Sequence, residues 1–144
     1  MLDLPNKPSE LLKIAINDFK EVLKDPAYLV NMSDWHKFNG VQCEVCLAGS
    51  VIAKTLGMNE LKEYTPFSSF GNDNQNKFLA LNAIRMGRLK EACTLMGIDK
   101  KLFKSIPLKY NMEKLQNVGK HDPRYNEFIS KLEEIVKVYE KESL

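Results

Sequence analysis

Residues 43–57, Cys-Glu-Val-Cys-Leu-Ala-Gly-Ser-Val-Ile-Ala-Lys-Thr-Leu-Gly, carry two charges only, Glu44 and Lys54. Wound at 3.6 residues per turn, their apolar positions fall on every side, so the segment has no face to give to water and must be enclosed by other elements. The pattern predicts a buried central helix over 43–56. Ala48, Gly49, Ser50 and Ala53 are small enough for neighbouring backbones to come close, and Gly57 stands where a left-handed cap would close the helix.

Enclosure needs amphipathic partners, and the flanking sequence supplies them. Pro8-Ser9-Glu10 opens a first helix over 8–24, with Leu11, Leu12, Ala15, Ile16, Phe19, Val22 and Leu23 at helical spacing before Asp25-Pro26 stops it. Residues 27–42 show no sustained period and read as a short turn or one-turn helix starting at Ser33 followed by a loop through Asn39-Gly40. A turn-rich loop spans 58–76, shortened by a helix over 59–64. Asn74-Gln75-Asn76 then caps a second buried helix carrying Phe78, Leu79, Ala80, Leu81, Ala83, Ile84 and Met86. Gly87 interrupts it, a helix resumes over 89–96, and Gly97 ends that one. Leu102, Phe103 and Ile106 make a short helical turn before Pro107, and 109–120 reads as a linker with one turn around Met112 and Leu115.

The last helix is expected over 123–141, with Asp122 as N-cap, Pro123 in the first position, and Tyr125, Phe128, Ile129, Leu132, Ile135, Val136 and Tyr139 along one stripe. Glu127 with Lys131 and Glu133 with Lys137 are spaced for i,i+4 pairs. The stripe suits core packing; its alternative use is a homodimer seam through 123–141. The expectation is an all-α bundle of five or six helices around 43–56, one domain over 1–144, a length that buries a core without staples.

An odd count of three cysteines, with no export signal at the N-terminus, predicts reduced thiols in a cytoplasmic protein, and no run is apolar enough for a membrane span. Cys43-x-x-Cys46 could be a metal or redox pair, but zinc wants four ligands and the remaining candidates, Cys93, His36 and His121, form no second close pair. Cys43 as a thiol nucleophile would need a base, which only His121 beside Asp122 offers. Core packing of the cysteines is the simpler reading. No phosphate loop, nucleophile elbow or zinc-protease motif occurs, so neither an enzyme nor a cofactor is expected.

Charge is regional: residues 85–120 hold nine Lys and Arg against three Asp and Glu, while each flanking part is net negative. Within 88–106 a small residue, Cys93, precedes Gly97 by four positions, and Phe103 and Ile106 follow. That spacing suits a helix-turn-helix. With Gly87, Ala92-Cys93 and Met96-Gly97-Ile98, residues 80–106 resemble the helix-turn-helix of the factor-for-inversion-stimulation type. The resemblance implies DNA contact by Lys100, Lys101 and Lys104; together with Arg88 they are the candidate nucleic-acid or partner contacts. A second resemblance runs from Trp35-His36 through Cys43-x-x-Cys46-Leu-Ala-Gly-Ser-Val-Ile-Ala to Leu-Asn-Ala-Ile-Arg-Met-Gly at 81–87. It is to small uncharacterised proteins of bacteriophages and prophages. It implies a phage origin and no particular activity; small phage proteins without catalytic residues commonly act in the host cytoplasm by binding a host or defence protein. Read from the residues themselves, Tyr64, Phe67 and Phe70 of the 58–76 loop either fold back as core plugs or form a candidate contact surface beside the basic region. Protein contact is the function expected; DNA regulation through 88–106 is the alternative, and a cysteine-based site the third.

Overall fold

A computed structural model describes residues 3–26, 28–30, 36–38, 43–56, 71–115 and 118–144. The chain is mostly helical. Among the described residues five helices are packed together: α1 (Pro8–Val22), α2 (Leu47–Leu56), α3 (Asn72–Arg85), α4 (Leu89–Leu95) and α5 (Tyr125–Lys141). Short 3-10 turns follow at Lys100–Leu102 and Glu113–Leu115. The described residues also include a small three-stranded sheet of β1 (Tyr28–Val30), β2 (His36–Phe38) and β3 (Cys43–Val45), in the order β1-β3-β2.

The expected buried helix is α2, and it starts four residues later than its apolar pattern implies. Leu47, Ala48, Ser50, Val51, Ile52 and Ala53 are all buried, with α1 and α3 against them. The preceding Cys43–Val45 is extended: it pairs in parallel with β1, Tyr28 opposite Cys43 and Val30 opposite Val45, and antiparallel with β2, His36 opposite Val45. Three-residue strands are too short to show a period of two, and their hydrogen bonds come from segments distant in sequence, so an apolar run reads equally well as helix. The same reason accounts for 28–30 and 36–38, which lie in the stretch where no strand was expected. A second, smaller cluster of Val22, Tyr28, Val45 and Ala53 joins the sheet to the ends of α1 and α2.

Helix ends follow glycine. α3 stops in a Schellman motif, with Gly87 N–H bonded to the Ile84 carbonyl and Arg88 N–H to that of Ala83, each at 2.9 Å. α4 stops the same way at Gly97, with Ile98 N–H reaching the Cys93 carbonyl at 3.1 Å. α3 begins at Asn72, after Gly71, rather than at Asn74-Gln75-Asn76. α5 begins at Tyr125: Asp122 accepts the Arg124 N–H at 2.8 Å and the guanidinium of the same residue at 2.9 and 3.0 Å, closing a turn that precedes the helix. The expected helix over 59–64 and the expected turn at Ser33 lie outside the described residues.

The stripe on α5 is taken up by the core: Phe128, Ile129, Leu132, Ile135, Val136 and Tyr139 are buried, and Phe19 of α1 meets Phe128 edge-on at 5.6 Å between ring centres. It is not an open seam for a second copy. Ion pairs on α5 run across to α1, from Lys13 to Glu140 at 2.9 Å and Lys20 to Glu133 at 3.8 Å; being exposed, they set orientation more than stability. Polar ties draw distant parts together. The Tyr139 hydroxyl donates to the Leu89 carbonyl at 2.8 Å, buried Ser9 donates its N–H and Oγ to the Leu144 main-chain oxygen, and the Lys77 ammonium, also buried, donates to the Leu4 carbonyl at 2.7 Å. Among the described residues no helix is long and apolar enough to cross a membrane.

Asp18 on α1 is buried, and its carboxyl is pushed up from 3.8 to about 6, first by desolvation and secondarily by Glu21, against the opposing pull of Lys54 and Asn17. The folded chain therefore holds this proton more tightly than the unfolded chain. The stability it contributes is complete below pH 4 and is lost as pH rises through about 6. With a ceiling near 3 kcal/mol for two pH units, Asp18→Asn is expected to gain about 1–2 kcal/mol over wild type at pH 8 and almost nothing at pH 3.5, read by urea denaturation at both. Ser143 closes the α5 terminus at φ 61, with Leu144 N–H bonded to the Tyr139 carbonyl at 2.9 Å. Glycine fits that conformation without a Cβ penalty, so Ser143→Gly is expected to raise stability by about 0.5–1 kcal/mol in thermal unfolding.

Candidate partner-contact site

The basic region 85–120 begins at the corner between α3 and α4 and continues as an irregular segment after α4. Asp99 accepts the Lys101 N–H at 2.9 Å and starts the 3-10 turn Lys100–Leu102, after which Phe103 and Ile106 plug into the core. Those two plugs, with the half-buried Ile98, hold the segment down while most of its other side chains stay in water. Lys100, Lys101, Lys104 and Lys109 are exposed, and so are two large apolar side chains, Leu102 at 59% and Leu108 at 76%. Ser105 Oγ, donating to Glu142 at 2.9 Å, anchors the segment to the end of α5.

This geometry departs from the helix-turn-helix expected over 88–106. The first helix and the Gly97 turn form, and Cys93 is fully buried at the crossing. The second helix does not: three residues of 3-10 turn stand in its place. Pro107 removes an N–H and Asp99 favours a tight local cap, so the residues between them cannot build the three or four turns a recognition helix lays in a major groove. Lys100, Lys101 and Lys104 are thus presented on a turn instead of along a helix.

Arg88 is placed apart from that triad and beside a residue the sequence pattern did not single out. Met86, Arg88, Lys109, Tyr110, Asn111 and Glu113 line a cleft of about 460 Å³. Its spacing is set by backbone. Gly87 sits at φ +80, Tyr110 N–H donates to the Gly87 carbonyl at 2.8 Å, and a Cβ on Gly87 would lie 1.8 Å from the Tyr110 carbonyl oxygen. Only glycine allows both the turn and the approach. The Tyr110 phenol donates to Glu134 at 2.5 Å, which pushes the phenol up to about 12 and holds the Glu134 carboxyl below its usual range. The Lys131 ammonium lies 5.4 Å from the Tyr110 ring centre, so that wall is fixed from behind. Lys109 gave no signal because it follows Pro107-Leu108 in a stretch without periodicity.

Two further clefts are present. One of about 370 Å³ lies between α1 and α5 over Ile16 and Val136, under the Lys13–Glu140 and Lys20–Glu133 pairs. The other, about 380 Å³, is lined in part by Asp25, Tyr28, Val30, Gly119 and His121, and includes Asp122, already engaged by Arg124.

The thiols described are core groups. Cys46 is 1% exposed and stands just before α2, where its Sγ accepts the Gly49 N–H at 3.3 Å; burial pushes the thiol up despite that bond. Cys93 is fully buried and raised to about 11 by desolvation. Neither is a thiolate near neutral pH. The side chains of Cys43 and His36, and all of Tyr64, Phe67 and Phe70, lie outside the described residues. Among the described residues no group of three or more His, Cys, Asp or Glu could hold a metal ion.

Compared with protein-family models, with curated proteins and with solved structures, the chain has no match.

If the Gly87–Tyr110 approach sets the cleft, Gly87→Ala is expected to cost about 2–4 kcal/mol, because the methyl group meets main chain that cannot move aside. Gly97→Ala, at φ +72 with nothing within 4 Å of the added Cβ, should cost only about 1 kcal/mol. Denaturant unfolding of the two variants side by side separates contact from conformation.

Proposed function

We propose that this chain is a non-enzymatic binding protein that contacts an acidic protein partner through the surface of residues 98–109. The observation that carries the reading is the exposure of Leu102 and Leu108 among four exposed lysines on a segment pinned by Phe103 and Ile106. Water gains nothing from a leucine left open to it, and a protein surface with acidic groups around an apolar recess would cover both leucines while pairing the lysines. Duplex DNA offers the lysines phosphates but gives the leucines little. Contact rather than catalysis is supported by the two described thiols, which are buried and held protonated. The resemblance of residues 35–87 to small phage proteins supports a host or defence protein in the host cytoplasm as the partner.

A tagged copy expressed in a bacterial host, followed by calorimetric titration of the recovered and purified partner, tests this. Leu102→Asp with Leu108→Asp is expected to weaken binding about tenfold or more, and replacing Lys100, Lys101 and Lys104 by Ala to weaken it less and to flatten its salt dependence. Binding indifferent to both sets of changes would refute the surface assigned. A duplex DNA shift at low salt, abolished by the lysine changes and untouched by the leucine changes, would replace protein contact with nucleic-acid binding.

A further inference from the structure

The contact surface ends at Lys109, and the cleft begins there. We propose that this cleft, walled by Met86 and Arg88 on one side and Lys109, Tyr110 and Asn111 on the other, seats an acidic side chain of a peptide segment of the partner, with an adjoining apolar side chain against Met86 and the Tyr110 ring. The proposal rests on the protein-contact reading above and says where its charge recognition is concentrated.

Three features support it. The volume, about 460 Å³, lies in the range of pockets that accept small ligands and is ample for one or two side chains. The walls are preorganised: the Gly87–Tyr110 main-chain contact and the Tyr110–Glu134 bond fix the opening before anything binds, so little ordering accompanies docking. The charges are available. Arg88 has a 3.8 Å contact with Glu91 in which both side chains are more than half exposed, too long and too wet to hold the guanidinium against a carboxylate that offers two oxygens. Asn111 turns its Oδ1 back to the Glu113 N–H at 3.4 Å, which leaves the amide N–H pair as donors to an incoming acid. Glu113 also lines the cleft, and its carboxylate opposes an acidic guest. It therefore steers the guest's carboxylate towards Arg88 and Lys109 and away from its own.

The opposing charge of Glu113 gives the test a sign that misfolding cannot imitate. Backbone amide shifts of the full chain would be followed while a synthetic peptide, with several Glu around one Leu, is titrated in; its Gln-for-Glu counterpart, inorganic phosphate and a short DNA duplex serve as the other probes. The amides of Arg88, Lys109 and Asn111 are expected to move with the acidic peptide. Lys109→Ala and Arg88→Ala should each weaken binding about threefold, and Glu113→Gln should tighten it about twofold. The proposal is overturned if no amide moves at millimolar peptide, if the shifts fall elsewhere, if the Gln peptide binds equally, or if phosphate or DNA moves the same amides more strongly. If the purified partner loses binding through Leu102→Asp and Leu108→Asp yet ignores Arg88→Ala, Lys109→Ala and Glu113→Gln, the contact surface stands and the cleft assignment alone falls.

Discussion

A helix without a wet face has to be enclosed, and α2 is such a helix over its described side chains as far as Ala53. Removing Leu47, Val51 and Ile52 from water is worth roughly 1.5–3 kcal/mol for each side chain, but only if flanking helices come close on more than one side. The small residues Ala48, Ser50 and Ala53 let them. α1 and α3 take those positions, α5 covers α1 through Phe19 and Phe128, and α4 is fixed to α5 by the Tyr139 hydroxyl on the Leu89 carbonyl. The course of the exposed segment 98–109 depends on this packing, since Phe103 and Ile106 plug into the same core.

Enclosure by packing leaves polar groups to be satisfied wherever segments meet, and the structure answers with hydrogen bonds between parts distant in sequence. Ser9 binds the Leu144 main-chain oxygen at the start of α1, and Lys77 reaches the Leu4 carbonyl from within α3. A lysine that buried would be costly without a partner; here the carbonyl and Asp73, at 3.0 Å, share the ammonium. Asp18 is the contrary case. It is a carboxyl whose neighbours do not offset its desolvation, and the fold accepts a lower stability in alkaline solution for it.

The basic region shows how local sequence and tertiary placement divide the work of building a site. Gly87 and Gly97 were legible as corners because only a left-handed residue ends a helix in this way, and both corners form. The helix between them, with Ala92 and Cys93 inward, was equally legible from its apolar spacing. What spacing could not reveal was whether the residues after Gly97 continue as an α-helix. A four-residue interval of small side chain and glycine marks a tight corner whatever follows it, and here Asp99 and Pro107 leave room for one 3-10 turn. The cleft that Arg88 and Lys109 both line was hidden for a different reason. It depends on a main-chain approach between Gly87 and Tyr110, and a backbone contact across more than twenty residues leaves no trace in periodicity.

Amphipathic period, helix-ending glycines and the all-round apolar stretch are properties of contiguous residues. From them the amino-acid sequence alone determined a mostly helical bundle, its most buried helix, the inward stripe of α5 and the region where positive charge gathers. The pairing of β1 and β2 with β3, the late start of α2, the irregular course of 98–109 and the cleft beside Tyr110 were decided only in three dimensions. Each depends on hydrogen bonds or steric limits between segments far apart along the chain, and such contacts exist only once the core has brought those segments together.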